Sequence, residues 1–197
     1  MKRLSLLLSI GLMLLMAVFL SCDIEDYPYL LEERSIVVTL HGKTGPWDWV
    51  NGGLNTDYQY DYASGTTHTA PVVVNKSSGL FLEPGNILII QYISGTVSGG
   101  AGDGDGANGD LDYPIDYNPG GVAYFADESD HPIYLITLMG VFTDASGALV
   151  GKPFKIGNGP REVIIPDNAV NLQMGFNDGM YSDNGGSLTV RVTEYWN

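Results

Sequence analysis

The chain has 197 residues, of which 23 are acidic and only 9 are basic, so its formal net charge at pH 7 is −14. Such a negative surface repels nucleic acid and anionic lipid head groups, and it suits cations and neutral ligands better. The sequence has a single cysteine, which excludes an internal disulfide.

The first 21 residues are typical of a bacterial secretory signal peptide. Lys2 and Arg3 supply positive charge, and an apolar run follows from Leu4 to Leu20. A transmembrane helix is an alternative, although the run is slightly shorter than the ~20 apolar residues that span a bilayer. Residues 19–22 resemble a lipobox, whose cysteine is lipidated and becomes the first mature residue. Cys22 is therefore predicted as a lipidation site; an ordinary signal peptide is the other reading.

Residues 22–35 form an acidic segment without strand alternation, which is predicted to be a tether. Acidic residues directly after the cysteine resemble the surface-export signal of some bacterial lipoproteins. This pattern indicates an outer membrane lipoprotein at the cell surface, with membrane contact through the lipid anchor only. The remaining residues, 36–197, have the length of one domain with a single core.

Short hydrophobic runs, separated by turn residues, continue from residue 36 to the end of the chain. They are rich in Val, Ile, Tyr and Thr, and the sequence contains 26 Gly and 10 Pro, many of them in turn pairs. Apolar spacing of three and four, as in a helix, does not persist. The pattern predicts an all-β sandwich or barrel. The predicted strands are Ile36–Leu40, Val72–Val74, Gly79–Leu82, Asn86–Ile93, Ile133–Phe142, Phe154–Ile156, Glu162–Ile165, Val170–Phe176 and Ser187–Glu194.

An aromatic and polar segment at residues 45–70 interrupts the strands. Trp47 and Trp49 suit either an aromatic platform for a sugar ring or a plug at one end of the sandwich, and the plug is preferred. Three tyrosines at alternate positions carry the same ambiguity: Tyr58, Tyr60 and Tyr62.

A Gly-rich acidic insert at residues 94–131 is the second interruption, and loops of this length are usually functional or disordered. Its oxygen-bearing residues superficially resemble an EF-hand loop, but Pro114 stands where the twelfth-position Glu belongs, and no helix is predicted beside it. A solvated loop is therefore preferred to a second calcium site. His131 lies next to a proline, where a structural role is preferred. The residues of the EF-hand-like pattern are Asp103, Asp105, Asn108, Asp110 and Asp112.

The most informative stretch is FNDGMYSDNGGSLTVRV, residues 176–192. Alternating apolar residues predict two strands here, the first with Val170, Leu172, Met174 and Phe176 and the second with Leu188, Val190 and Val192. Between the strands lie the oxygen-bearing residues Asn177, Asp178, Asp183 and Asn184, with Gly179, Gly185 and Gly186 for tight turns. Clustered carboxylate and amide oxygens are the ligands of a hard cation such as Ca²⁺. An Asx-rich turn without a metal is the alternative.

The order of motifs from residue 80 onward resembles that of the PA-IL-like lectins, which are calcium-dependent galactose-binding jelly-roll sandwiches. The motifs are GNILIIQYISGTVSGG (85–100), the Gly-rich insert, LMGVF (138–142), PFKIGNG (153–159) and FNDGMYSDNGGSLTVRV (176–192). Residues 36–79 align poorly. The resemblance implies a galactose-binding-domain-like jelly roll.

The same resemblance implies a calcium ion that is shared with two neighbouring hydroxyls of a sugar. Asp178 would open the calcium shell, Asp183 and Asn184 would close it, and Met180 would supply a backbone carbonyl. A further carbonyl would come from Gly99 or Gly100, for which Gly100 is chosen. Contacts to the sugar are assigned to Asp178, Gly179, Asp183 and Tyr113; Asp116 and Tyr117 are further candidates. The loop is shorter than in the prototype lectin, and Asp183 replaces an asparagine.

No catalytic constellation is visible in the sequence. It has three histidines, at His41, His68 and His131, and no Gly-x-Ser-x-Gly motif. A pair of carboxylates in a glycosidase cleft cannot be recognised from sequence. The predicted function is therefore calcium-dependent binding of a galactoside, or of another glycan with a vicinal diol, by a non-enzymatic surface lipoprotein. The alternative is a surface interaction protein with a structural calcium and no sugar ligand.

Overall fold

The computed structural model describes residues 32–47, 68–100, 102–114 and 126–196. The signal peptide at 1–21, the lipidation site Cys22 and most of the tether lie outside the described residues. So do Trp49, the three alternate tyrosines, Asp116 and Tyr117. In the described part no helix is long and apolar enough to cross a membrane.

Antiparallel strands make up two main sheets, as the predicted all-β sandwich requires. The first sheet contains β1 (Glu32–His41), β11 (Gly185–Trp196), β3 (Ile87–Gly99) and β4 (Gly102–Asp103) in that order, and β9 (Arg161–Ile164) also pairs with β3. The second sheet has the order β2 (Val72–Val74), β10 (Asn171–Phe176), β7 (Leu138–Thr143) and β8 (Leu149–Lys155). A separate two-stranded ribbon pairs β5 (Asp110–Pro114) with β6 (Tyr134–Leu135). Short 3₁₀ turns lie at Lys76–Ser78, Gly106–Asn108, Glu128–Asp130 and Tyr181–Asp183.

The eight principal strands pair in a nested order. The first strand pairs with the last, β1 with β11, and the second pairs with the second last, β2 with β10. Inside these pairs β3 meets β9, and β7 meets its neighbour β8. The chain is therefore one long hairpin rolled across two sheets, which is the connectivity of a jelly roll. The predicted jelly-roll sandwich is confirmed.

The core lies between the inner faces of the two sheets. Leu188, Val190 and Val192 of β11 are completely buried, as their alternation predicts. On β10 both faces are buried, and the segment before residue 48 packs against the strand: a Cβ on Gly175 would overlap the Gly45 carbonyl, and the Phe176 N–H donates to the Thr44 carbonyl at 3.0 Å. Trp47 is only 1% exposed. It is part of the core, as the preferred interpretation of a plug in the sandwich predicts, and its ring is not exposed as an aromatic platform for a sugar would be.

One predicted strand, Gly79–Leu82, is wrong. Its side chains alternate in burial as in a strand, but residues 79–82 pair with no strand: the Gly79 and Leu80 N–H groups donate to the Lys76 and Asn75 carbonyls, and the Phe81 N–H donates to a carboxylate. Glu194 accepts from the Phe81 N–H at 2.9 Å and from the Glu83 N–H at 3.0 Å, and also from the Asn86 side chain at 2.9 Å. Burial raises the pKa of Glu194, but these hydrogen bonds outweigh it and bring the pKa below its ordinary value.

A second predicted strand, Ile133–Phe142, is interrupted. Ile136 has a φ of 53°, in the left-handed region that a β-branched residue seldom adopts, and this turn separates β6 from β7. The Thr137 hydroxyl closes the turn by accepting from the Tyr134 N–H at 3.0 Å.

Other strands differ from the prediction in their bounds. β1 starts at Glu32, inside the predicted tether, because its first residues pair with the end of β11, up to Glu32 opposite Trp196. β10 starts at Asn171, so Val170 lies outside it and is 44% exposed. β4 and β5 lie within the Gly-rich insert, which the sequence predicts as a loop.

Candidate functional site

The loop of residues 177–184 joins β10 to β11 at one end of the sandwich, and a buried asparagine fixes its beginning. The Asn177 N–H donates to the Thr137 carbonyl, and its carbonyl accepts from the Ile136 N–H, both at 2.8 Å. Its side-chain amide donates to the Tyr134 carbonyl at 3.1 Å. These three bonds tie the start of the loop to the turn between β6 and β7, so that turn and loop form one unit.

Tyr181 anchors the middle of the loop from inside. Its ring is completely buried, and its hydroxyl donates to the Phe176 carbonyl at 2.6 Å. The His68 ring lies nearby, with its centroid 6.1 Å from that of Tyr181. Because the tyrosine points inward, the residue before it points outward: the Met180 side chain is 50% exposed.

Asp178 is a buried carboxylate, only 5% exposed. Burial is the largest influence and raises the pKa of Asp178, and the charge of Asp183 raises it further. Hydrogen bonds from the Met180 N–H, at 3.0 Å, from the Asn184 side chain and from the Gly179 backbone lower the pKa but do not compensate for the burial. A negative charge at this position is therefore poorly stabilised by the protein alone, and an added cation would stabilise it.

Asn184 has a buried oxygen that lacks a hydrogen-bond donor. The residue is 5% exposed, and its Nδ2 donates to the Gly42 carbonyl at 3.0 Å. Its Oδ1 receives no hydrogen bond in the described part of the chain. An unsatisfied buried acceptor costs about 1–3 kcal/mol, and it calls for an explanation such as an ion or a water molecule.

The end of β3 lies against the two residues that close the loop. A Cβ on Gly100 would overlap Oδ2 of Asp183, and a Cβ on Gly99 would lie 3.4 Å from Oδ1 of Asn184. The structure therefore brings Asp183 and Asn184 to the Gly99–Gly100 backbone, as the predicted calcium set requires. Asp178 joins the same group through its hydrogen bond to the Asn184 side chain.

The donor set suits Ca²⁺ better than a softer metal. It offers two carboxylates and one amide oxygen without a donor, and the backbone carbonyls predicted from the sequence would add further oxygens. Among the described residues, no three His, Cys, Asp or Glu side chains converge. A cation here would therefore depend on amide and backbone oxygens as well as on Asp178 and Asp183, and Ca²⁺ readily accepts such ligands.

The predicted sugar-contacting residues differ in what surrounds them. Apart from its chain neighbours, no atom of the described residues lies within 4 Å of where a Cβ on Gly179 would be, so the described part of the structure leaves that side of the loop open. Tyr113 lies on β5 and is 48% exposed. Its ribbon reaches the loop through the other strand, β6, whose Tyr134 carbonyl accepts from Asn177.

The Gly-rich insert holds its oxygen-bearing residues in a different way. Asp110 is buried, and its Oδ1 accepts from the Asp112 N–H at 3.1 Å. Asn108 Oδ1 accepts from the Asn158 N–H at 3.0 Å, and the Asn158 side chain in turn binds the Ala107 N–H and, at 2.9 Å, the Asp105 carbonyl. Oδ1 of Asp110 and Oδ1 of Asn108 thus each accept a hydrogen bond from the protein.

Asn158 and Asn177 are structural residues of the site region that the sequence did not single out for these roles. Asn158 lies in the GNG stretch of the PFKIGNG motif, where its flanking glycines signal a tight loop. The residues around Asn177 in the sequence do not indicate its three hydrogen-bond partners, because these all lie more than thirty residues earlier in the chain.

The sequence matches no known protein-family model, and no curated protein is significantly similar to it. The resemblance to the PA-IL-like lectins therefore stays a prediction, which depends on the motifs of this chain alone.

Proposed function

We propose that this protein binds carbohydrate in a calcium-dependent manner, through the loop of residues 177–184. The observation that carries the proposal is the buried Oδ1 of Asn184, which lacks a donor and lies beside Asp178, Asp183 and the end of β3. A cation at this oxygen would satisfy it and would also compensate the buried charge of Asp178.

The residues that would hold the ion are Asp178, Asp183 and Asn184, together with the carbonyls of Met180 and Gly100. Calcium takes six to eight oxygens, so this set leaves room for hydroxyls from a ligand. Bound calcium supplies a positive charge that attracts two neighbouring hydroxyls without deprotonating them. A galactoside, or another glycan with a vicinal diol, has this chemistry, and the open side of Gly179 leaves space for it.

The rest of the proposal concerns the place of the protein in the cell. The lone cysteine at position 22, directly after the apolar run, supports lipidation and anchoring at the outer membrane, with the sandwich on the cell surface. A binding role without catalysis fits a sequence without a recognisable nucleophile motif, and the net charge of −14 does not favour nucleic acid as a partner.

A structural calcium without a sugar ligand is the second candidate function. The residues of the calcium set also join separate parts of the chain: Asn184 binds Gly42, and Asp183 lies against Gly100. An ion at this position would hold the end of the sandwich together even if it bound no glycan.

Thermal unfolding of the protein in chelator, in calcium, and in calcium with a galactoside separates these functions. Calcium at about 100 times its Kd adds ~2.7 kcal/mol of stability, which raises the Tm of a domain of this size by about 5–10 °C. A galactoside should raise the Tm again only if it shares the ion. A calcium response with no further response across a glycan panel would favour the structural calcium.

Asp178→Asn tests whether the response comes from this loop. The substitution preserves the shape of the side chain but removes a charge, and it should abolish the rise in Tm with calcium. Asp167→Asn, at an exposed position on the turn before β10, is the matched control and should respond as the wild type does. Absence of any calcium response in the wild type would contradict both candidate functions.

A further inference from the structure

A recess of about 300 Å³ lies away from the calcium set, between the 3₁₀ turn Glu128–Asp130 and the residues that connect β8 to β9. We refer to it as the Arg161 pocket. Its volume is at the lower end of the range for small-molecule sites, which is suitable for a ligand of about one sugar ring. Its charged or titratable side chains are Asp130, His131, Lys155 and Arg161.

The lining is basic, whereas the protein is strongly acidic. Only seven of the nine basic residues lie beyond the signal segment, and two of these, Lys155 and Arg161, line this one recess. The single acidic side chain of the lining is Asp130. The pocket therefore carries a net positive charge of one with His131 neutral, on a chain whose formal charge is −14. Such a local reversal of sign favours an anionic ligand group.

Asp130 positions both cationic residues. It is 6% exposed, and its Oδ1 lies 2.9 Å from Nη2 of Arg161. Its Oδ2 accepts from the backbone N–H of Lys155 at 3.0 Å. Because the carboxylate of Asp130 is committed to these two partners, it holds the guanidinium in place at the edge of the recess.

The protein satisfies the guanidinium of Arg161 only in part. Nη2 pairs with Asp130, but the buried Nε has no acceptor among the residues that the structure describes. About a third of the side chain is exposed to solvent. The Lys155 ammonium group also lines the recess; its Nζ donates to the Pro132 carbonyl at 2.7 Å and lies 5.5 Å from the centroid of the Tyr134 ring.

We propose that the Arg161 pocket binds a small monocarboxylate of about one sugar ring in size, such as a hexuronic acid. A planar carboxylate suits the flat donor edge of a guanidinium, and a single negative charge matches the charge of the lining. Pro160 and Ile156 give the recess an apolar side against which the C–H groups of a ring would pack. The proposal does not depend on calcium, since none of these residues belongs to the calcium set.

Titration calorimetry with galacturonate, in the presence of a chelator, tests the proposal apart from the calcium site. Galactose is the neutral counterpart of galacturonate, acetate is the carboxylate without a ring, and inorganic phosphate is the competing anion. We expect galacturonate to bind at least about tenfold more tightly than each of the other three compounds. Equal affinity for galactose would overturn the role of the charge. Equal affinity for acetate would overturn the proposed ligand size, because the ring would then contribute nothing to binding. Tighter binding of phosphate would overturn the proposed preference for a carboxylate.

Substitutions locate the site. Lys155→Gln keeps the backbone N–H that binds Asp130 but loses the charge, and it should weaken galacturonate binding at least about tenfold. Lys152→Gln is the matched control, because Lys152 is outside the lining and pairs with Asp127 at 2.6 Å; its affinity should stay within about twofold. Arg161→Lys keeps the charge but loses the planar donor edge, and it should also weaken binding. Circular dichroism checks the fold of each variant, and unchanged affinity in folded Lys155→Gln would overturn the proposal.

Discussion

Glu194 offers a direct test of how the end of the sandwich is held, through the substitution Glu194→Gln. Oε2 of the carboxylate accepts from the Phe81 N–H, whereas Oε1 accepts from the Glu83 N–H and from the Asn86 side chain. Glutamine has a single acceptor oxygen, so at least one donor would face an NH₂ group and remain unsatisfied. That loss costs about 1–3 kcal/mol, and the remaining bonds weaken because their acceptor is no longer charged. We expect the free energy of unfolding to fall by about 2–4 kcal/mol at pH 7.

The effect of Glu194→Gln should depend on pH in a defined direction. Because the pKa of Glu194 is lower in the folded protein than its ordinary value of 4.5, its charged form stabilises the fold. This contribution is complete above the unfolded pKa and is lost as the pH falls through the lower, folded pKa. The difference between wild type and variant should therefore be constant near neutral pH and should shrink as the pH falls below 4.5.

Urea unfolding, followed by circular dichroism at several pH values, measures both effects. Glu162→Gln is the control, because Glu162 lies in the same sheet, on β9, which pairs with β3, and is exposed. It should change the free energy of unfolding by less than about 0.5 kcal/mol. If Glu194→Gln behaved like this control, or if its effect were the same at every pH, the assignment of Glu194 as the acceptor for the segment before β3 would be refuted.

Three further substitutions test the candidate site and its supports. Gly100→Ala places a Cβ where Oδ2 of Asp183 lies, so calcium affinity by calorimetry should fall at least about tenfold, whereas Gly159→Ala, which meets open space, should leave it unchanged. Asn158→Ala removes the acceptor and donor that hold the Gly-rich insert, so hydrogen exchange in residues 102–114 should become faster; unchanged exchange would contradict that role. Tyr181→Phe removes the hydroxyl that donates to the buried Phe176 carbonyl at the end of β10. Thermal unfolding should show that the free energy of unfolding falls by about 1–2 kcal/mol, and an unchanged value would argue against an anchoring role.

Strand alternation predicted much of the fold because strands such as β11 bury mainly one face, although β7 and β10 are buried on both. Leu188, Val190 and Val192 are all buried, and the predicted strand that contains them is real. The failures come from interactions that alternation does not encode. Leu80 and Leu82 alternate with Phe81 as strand residues would, but the nearby backbone binds Glu194, which lies more than a hundred residues later in the chain.

The jelly-roll connectivity itself was accessible only through the resemblance. Short strands with Gly and Pro turns fit a sandwich or a barrel equally well, because both bury alternate residues. The decision between them lies in the partners of each strand, such as β1 with β11, and these partners are set by contacts across the length of the chain. The interruption at Ile136 was equally hidden, since an apolar β-branched residue with a positive φ looks like any strand residue in sequence.

The two Asx-rich loops show why composition alone does not identify a cation site. Both contain closely spaced carboxylates, amides and glycines, and the insert has the longer list of oxygens. In the insert, however, Oδ1 of Asp110 accepts from the Asp112 N–H and Oδ1 of Asn108 accepts from the Asn158 N–H, so these two oxygens already have a donor. In the shorter loop Oδ1 of Asn184 is buried without one, beside a carboxylate whose burial raises its pKa. The free energy that a cation gains depends on which oxygens the protein has left unsatisfied, and that property arises only when the loop meets the end of β3. The calcium site that we propose therefore lies at Asn184, although the sequence of the insert looks richer in ligands.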